Sequence, residues 1–182
     1  MNTDLTTAAP PTLPPHVHLM QMGIGGWVAA VLYHAAKMKL ADLLADGPKS
    51  GAQVAALTST DGPTMHRFMR TLAGFGVLTE REPGIFALTP MGEALRTDAP
   101  GAAWATVMTF AGPLFMRTWE DMPHSLATGR TAFEKMWGMP ISDYMGKHSD
   151  QAHLFSQSMV GIHDWSAPRR STRTCCRRPG SR

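Results

Sequence analysis

The chain has 182 residues and a formal net charge of +3, which is enough length for one domain with a real core. The charge is unevenly placed. The last 14 residues, RRSTRTCCRRPGSR (169–182), hold six arginines, both cysteines and no acid, so residues 1–168 carry 11 basic side chains against 14 acidic ones. A cysteine-free, mildly acidic body excludes a disulfide framework, a thiolate metal site and a broadly basic nucleic-acid surface. The segment MNTDLTTAAPPTLPPHVH (1–18) is rich in Pro, Thr and Ala and reads as a disordered or loosely packed arm. Its His16 and His18 lack further ligands for a metal. The start has neither the basic opening nor the apolar segment of a secretory signal. IGGWVAAVLYHAA (24–36) is too short to span a bilayer. A cytoplasmic protein without membrane partners is expected.

From Met22 to Ala45 apolar residues recur at helical spacing, with a break near Lys39 and an end at Asp46-Gly47-Pro48. GIGG (23–26) is not a nucleotide loop, because no strand precedes it. Ser50 can cap a short helix, GAQVAALT (51–58), with Val54 and Leu57 inward. Asp61 and Pro63 start a second helix, whose apolar face is Met65, Phe68, Met69 and Leu72. Gly74 and Gly76 supply its exit. GVLTE (76–80) and GIFAL (84–88) flank the turn signal REPG and read as a hairpin, and Thr89-Pro90 caps the helix MGEALR. Helix, helix, hairpin, helix is a winged helix-turn-helix.

Beyond Pro100 the pattern is helical again over 102–110, 113–129, 140–147 and 149–165. Methionines and aromatics dominate the apolar faces, as in a core or in the wall of an aromatic-ligand pocket. No nucleophile elbow, P-loop, zinc-protease helix or dinucleotide fingerprint occurs. Glu120 or Asp121 with His124, and His163-Asp164, read as surface pairs rather than acid–base machinery. A winged helix also raises the alternative of a DNA-binding regulator. Its reading helix would offer only His66, Arg67 and Arg70, few cations for a surface that must neutralise several phosphates.

Two ordered sets of residues resemble one family. In residues 40–96 these are the L-A-D-x-L-x-x-G-P entry, the R-x-x-R-x-L segment followed by G-V-L, and the L-T-P-x-G helix start. In residues 115–159 they are W-x-x-(apolar), T/D-G, A-F-E, x-G-x-x-x-x-D/E-Y and F-x-x-x-M. Together they resemble the amino-terminal part of the S-adenosylmethionine-dependent O-methyltransferases that include the caffeic acid, hydroxyindole and carminomycin enzymes. The resemblance covers roughly residues 20–168.

It implies a mainly α fold: a winged-helix dimerisation module with a small hairpin, plus helices that complete the dimer and line an acceptor pocket. Residues 1–20 would be the arm, 21–100 the winged-helix domain, 101–168 the pocket segment and 169–182 a basic tail. The resemblance places Thr109, Phe110, Phe115, Trp119, Met145, Phe155 and Met159 at the family's acceptor positions. It also implies a homodimer, a small aromatic or polyketide-like acceptor methylated on a hydroxyl, S-adenosylmethionine as the family's cofactor, and no nucleic-acid partner. The family's glycine-rich V-D-V-G-G-G-x-G turn and its histidine base are not found in these residues. This chain alone is therefore expected to lack the Rossmann-like domain, to bind no cofactor and to be inactive. The tail, with the composition of GC-rich DNA read out of frame, is expected to be a frameshift product ending a truncated enzyme.

Overall fold

A computed structural model describes residues 13–101 and 103–166, with the backbone alone for 163–166. The basic tail, the first 12 residues and the side chains of His163-Asp164 lie outside the described residues. The chain opens with α1 (Pro15–Gly23) and α2 (Gly25–Lys37). Pro14 and Pro15 sit where missing amide hydrogens cost a helix nothing, so residues 15–18, expected in the arm, begin α1 instead. None of its residues is buried. Lys39 takes a left-handed conformation (φ 53°) and produces the anticipated break before α3 (Leu40–Leu43).

The winged unit follows. β1 (Lys49–Ser50) runs directly into α4 (Gly51–Thr58). Ser50 and Gln53 form a reciprocal capping box: the Gln53 N–H donates to Ser50 Oγ (3.2 Å) and the Ser50 N–H to Gln53 Oε1 (2.7 Å). α5 (Gly62–Gly74) is capped by Asp61, which accepts from the Thr64 N–H at 2.9 Å. β2 (Leu78–Glu82) and β3 (Ile85–Leu88) form the wing, and the Glu80 side chain ties its turn by accepting the Gly84 N–H. The sheet is antiparallel in the order β1-β3-β2, with a bulge between Glu80 and Glu82. β1 was not anticipated, because two residues show no alternation. Thr89 caps α6 (Pro90–Glu93) and donates back to the Gly76 carbonyl at 2.6 Å, locking the wing to the helix that follows.

The core of this unit contains Leu40, Leu44, Val54, Met65, Met69, Leu72, Leu78 and Phe86, all at most 3% exposed. Leu57 does not join it and is exposed. It stands in the last turn of α4, one residue before the helix ends at Thr58. Gly51 and Gly92 allow closest approach. A Cβ at Gly51 would stand 2.7 Å from the His66 Cα, and one at Gly92 would collide with the Val77 carbonyl.

The second half consists of α7 (Ala103–Phe110), α8 (Pro113–Glu120), α9 (Met122–Thr128), α10 (Ala132–Trp137), α11 (Ile141–Lys147) and α12 (Ser149–Ser166). The single helix expected over 113–129 is thus two, divided at Asp121, since Pro123 has no N–H to continue the ladder. α10 was not anticipated. α7 packs between α2 and α12, and Trp104 Nε1 donates to the Ala36 carbonyl at 2.9 Å, joining the two halves.

Candidate acceptor pocket

The loop between α7 and α8 and the middle of α12 bring three predicted residues together. Phe110 and Phe115 lie 5.2 Å apart, and Phe115 stacks on Phe155 at 6.1 Å with an interplanar angle of 11°. Gly112 makes this turn possible, because a Cβ there would strike the Met108 carbonyl and crowd the Tyr33 ring at 3.3 Å. Thr109, just before the cluster, is buried, and its Oγ1 has no hydrogen-bond partner. Such an oxygen is costly to leave unpaired and is the one predicted polar group in the set.

Phe115 also walls a cavity of about 460 Å³ formed by α8, α9, α10 and the start of α11. Trp119 stands at its mouth, 63% exposed. Met122, Phe133, Pro140 and Ile141 give apolar walls, while Thr118, Ser125, Arg130 and Glu134 supply polar groups. A mostly apolar wall with few polar groups suits a small flat ligand. Met145 and Met159 are half-buried but line none of the cavities described. A second cavity of about 280 Å³ lies beside Tyr33, Trp137 and Tyr144. Trp137 and Tyr144 pack edge to face at 5.5 Å.

The residues contributed by α10 were not found from the sequence. The usable signal was Thr131 followed three residues later by Glu134, a helix-start pair. Thr131 Oγ1 does accept the Glu134 N–H at 3.2 Å. Asp121 and His124, paired by spacing, part company in the fold. Asp121 binds Lys135 at 2.8 Å, and His124 Nε2 lies 3.5 Å from Thr128 Oγ1. Among the described residues no group of three or more His, Asp or Glu could hold a metal ion, and no helix is long and apolar enough to cross a membrane.

The reading-helix side chains are engaged locally. His66 packs edge-on against Phe86 at 5.5 Å, and Arg67 donates to Thr64 Oγ1 within its own helix. No strand followed by a glycine-rich turn into a helix is present among the described residues. The sheet is three-stranded and antiparallel, and β1 enters α4 without a glycine-rich turn.

Residues 20–98 match the family model described as the O-methyltransferase dimerisation domain. By that match residues 20–98 are an O-methyltransferase dimerisation domain. Among curated proteins it is 40% identical over 143 residues to a phenazine O-methyltransferase of Lysobacter antibioticus, covering 79% of this chain and 42% of that protein. It is 35% identical over 151 residues to the 8-amino-8-demethylriboflavin N,N-dimethyltransferase of Streptomyces davaonensis, covering 82% and 44%. The crystal structure of LaPhzM superposes with a TM-score of 0.77 at 38% identity, over 84% of this chain and 46% of that one. The chain thus spans less than half the length of the relatives it matches. The dimerisation-domain match spans the winged unit from α3 to α6.

Proposed function

We propose that this chain is the dimer-forming and acceptor-binding part of an S-adenosylmethionine-dependent methyltransferase. The reaction would carry a methyl group to a hydroxyl of a small aromatic or polyketide-like acceptor. The observation that carries this reading is the Phe110–Phe115–Phe155 cluster beside an apolar cavity of about 460 Å³, on a chain with an O-methyltransferase dimerisation domain. Aromatic faces bind a flat acceptor by offset and edge contacts. The unpaired Thr109 hydroxyl supplies a donor or acceptor once the rings shift to admit it.

The chain itself contributes position and exclusion of water rather than chemistry. The donor site and the base that takes the acceptor's proton would come from sequence outside these 182 residues. A homodimer fits the apolar faces of the first two helices: Leu19, Met20, Met22 and Trp27 are exposed, Trp27 at 75%. Cytoplasmic location belongs to the same reading.

Isothermal titration calorimetry tests it. The purified chain should show no saturable heat with S-adenosylmethionine, and it should bind 1-naphthol weakly, with that binding lost in Phe115→Ala. Micromolar binding of S-adenosylmethionine would overturn the division of labour. Undiminished naphthol binding by the variant would overturn the pocket.

A further inference from the structure

Phe115 and Phe155 come from different helices, α8 and α12, yet their rings lie within 11° of parallel at 6.1 Å. Each has the same device three residues further along its helix. Thr118 Oγ1 donates to the Phe115 carbonyl at 2.5 Å, and Ser158 Oγ donates to the Phe155 carbonyl at 2.7 Å. Other helix hydroxyls behave differently: Thr71, Thr128 and Ser156 reach the carbonyl four residues back, and Thr58 makes its shorter bond there too. Phe110, the third ring of the cluster, is followed three residues on by Pro113 and has no such tether. Its plane is tilted 50° to Phe115 and 60° to Phe155.

A hydroxyl that shares a helix carbonyl with the ladder draws that carbonyl toward it and bends the local turn. Carbonyl and ring leave the same Cα neighbourhood, so the bend bears on the direction in which the ring leaves its helix. Ser158 is 0% exposed, so no water competes for its proton, and an unpaired hydroxyl there would be costly. Thr118 lines the cavity beside Phe115, yet its proton is already committed to the Phe115 carbonyl.

We propose that Thr118 and Ser158 are positioning residues, whose hydroxyls hold the Phe115 and Phe155 rings parallel and thereby set the pocket's preference for flat ligands over puckered ones. This role presupposes the aromatic pocket proposed above, and it is exerted through the rings rather than on the ligand.

The test titrates the full chain, T118V/S158A and T118S by calorimetry with 1-naphthol and with its saturated, puckered counterpart 1-decalol. The wild type should prefer naphthol by about threefold to tenfold, the range that an aromatic contact supplies beyond burial. In T118V/S158A the preference should fall to parity while decalol binding is unchanged. T118S keeps the hydroxyl, drops only a methyl and should retain the preference. Urea midpoints verify the fold, and S158A alone should lose part of the preference if the double variant is unstable. In the free protein, nuclear Overhauser contacts between the Phe115 and Phe155 rings should be present in wild type and T118S and lost in T118V/S158A, with Phe86 in the winged core unshifted. An undiminished preference or ring contact in T118V/S158A overturns the role. So does an equal loss in T118S, or a proportionate loss of both alcohols, which a general loosening of the fold would give. A wild type that binds neither alcohol overturns the pocket and with it the selectivity, whereas a lost ring contact in T118V/S158A would still show that the hydroxyls hold the rings.

Discussion

The two halves of the molecule solve the burial problem differently. The winged half places its apolar side chains in one continuous core running from Ala35 to Leu95. The helical half buries little: among its described side chains Ala105, Thr109, Ala132, Phe133 and Ser158 are inside, and most of its aromatics are half-exposed around voids. Five of its six helices have only six to eight residues, too short to stand without tertiary support. The first half is built to hold a shape. The second half leaves apolar side chains open around its cavities.

That contrast can be broken by substitution. Gly92→Ala should have the largest effect, because the new methyl meets the Val77 carbonyl in the backbone of the wing rather than a side chain that can swing away. Overpacking costs about 1–3 kcal/mol where side chains give way and more where backbone must move, as at Val77, and a urea titration should show the winged unit losing its folded baseline before any other variant.

Next comes a paired comparison. Met69→Ala removes a side chain that is 0% exposed and should cost about 2–5 kcal/mol. Phe115→Ala, a larger deletion by volume, should cost only about 1 kcal/mol because its ring already borders a cavity. Equal losses would erase the distinction between a packed half and an open one.

The smallest effect belongs to the cap of α5. Hydrogen bonds from Thr64, first its side chain and then its backbone N–H, hold the exposed Asp61 carboxyl below its ordinary range, with a minor contribution from Arg67. A depressed carboxylate stabilises above its unfolded pKa and loses that contribution as pH falls through its folded pKa. Asp61→Asn keeps the cap but removes the titration. Its urea midpoint should therefore lie below wild type at neutral pH and converge with it in acid. A gap that widens on acidification would contradict the assignment.

Much of the winged half was legible in the sequence because its signals are local. Ser50, Asp61 and Thr89 announce helix starts by their own side chains, and Gly84 announces a turn by needing a positive φ of 79°. β1 escaped because two residues have no pattern, and Leu57 because period alone does not say which neighbour arrives. In the second half the aromatic stripe was legible, and the ring cluster of Phe110, Phe115 and Phe155 follows from it. The break at Asp121, the helix from Ala132 to Trp137 and the Asp121–Lys135 pair were not. Short helices depend on partners distant in sequence, and those partners leave no mark on local spacing. For the same reason Met145 and Met159 carry the resemblance while standing away from the cavities described.

A homodimer would bring the exposed apolar faces of the first two helices, with Met22 and Trp27, against the second copy. Light scattering coupled to size exclusion, at tens of micromolar, tests it most directly. The expected mass is near twice the 19.8 kDa of one chain, falling toward a single copy when Trp27 and Met22 are both changed to serine. A wild-type protein that elutes at 19.8 kDa across that concentration range would contradict it.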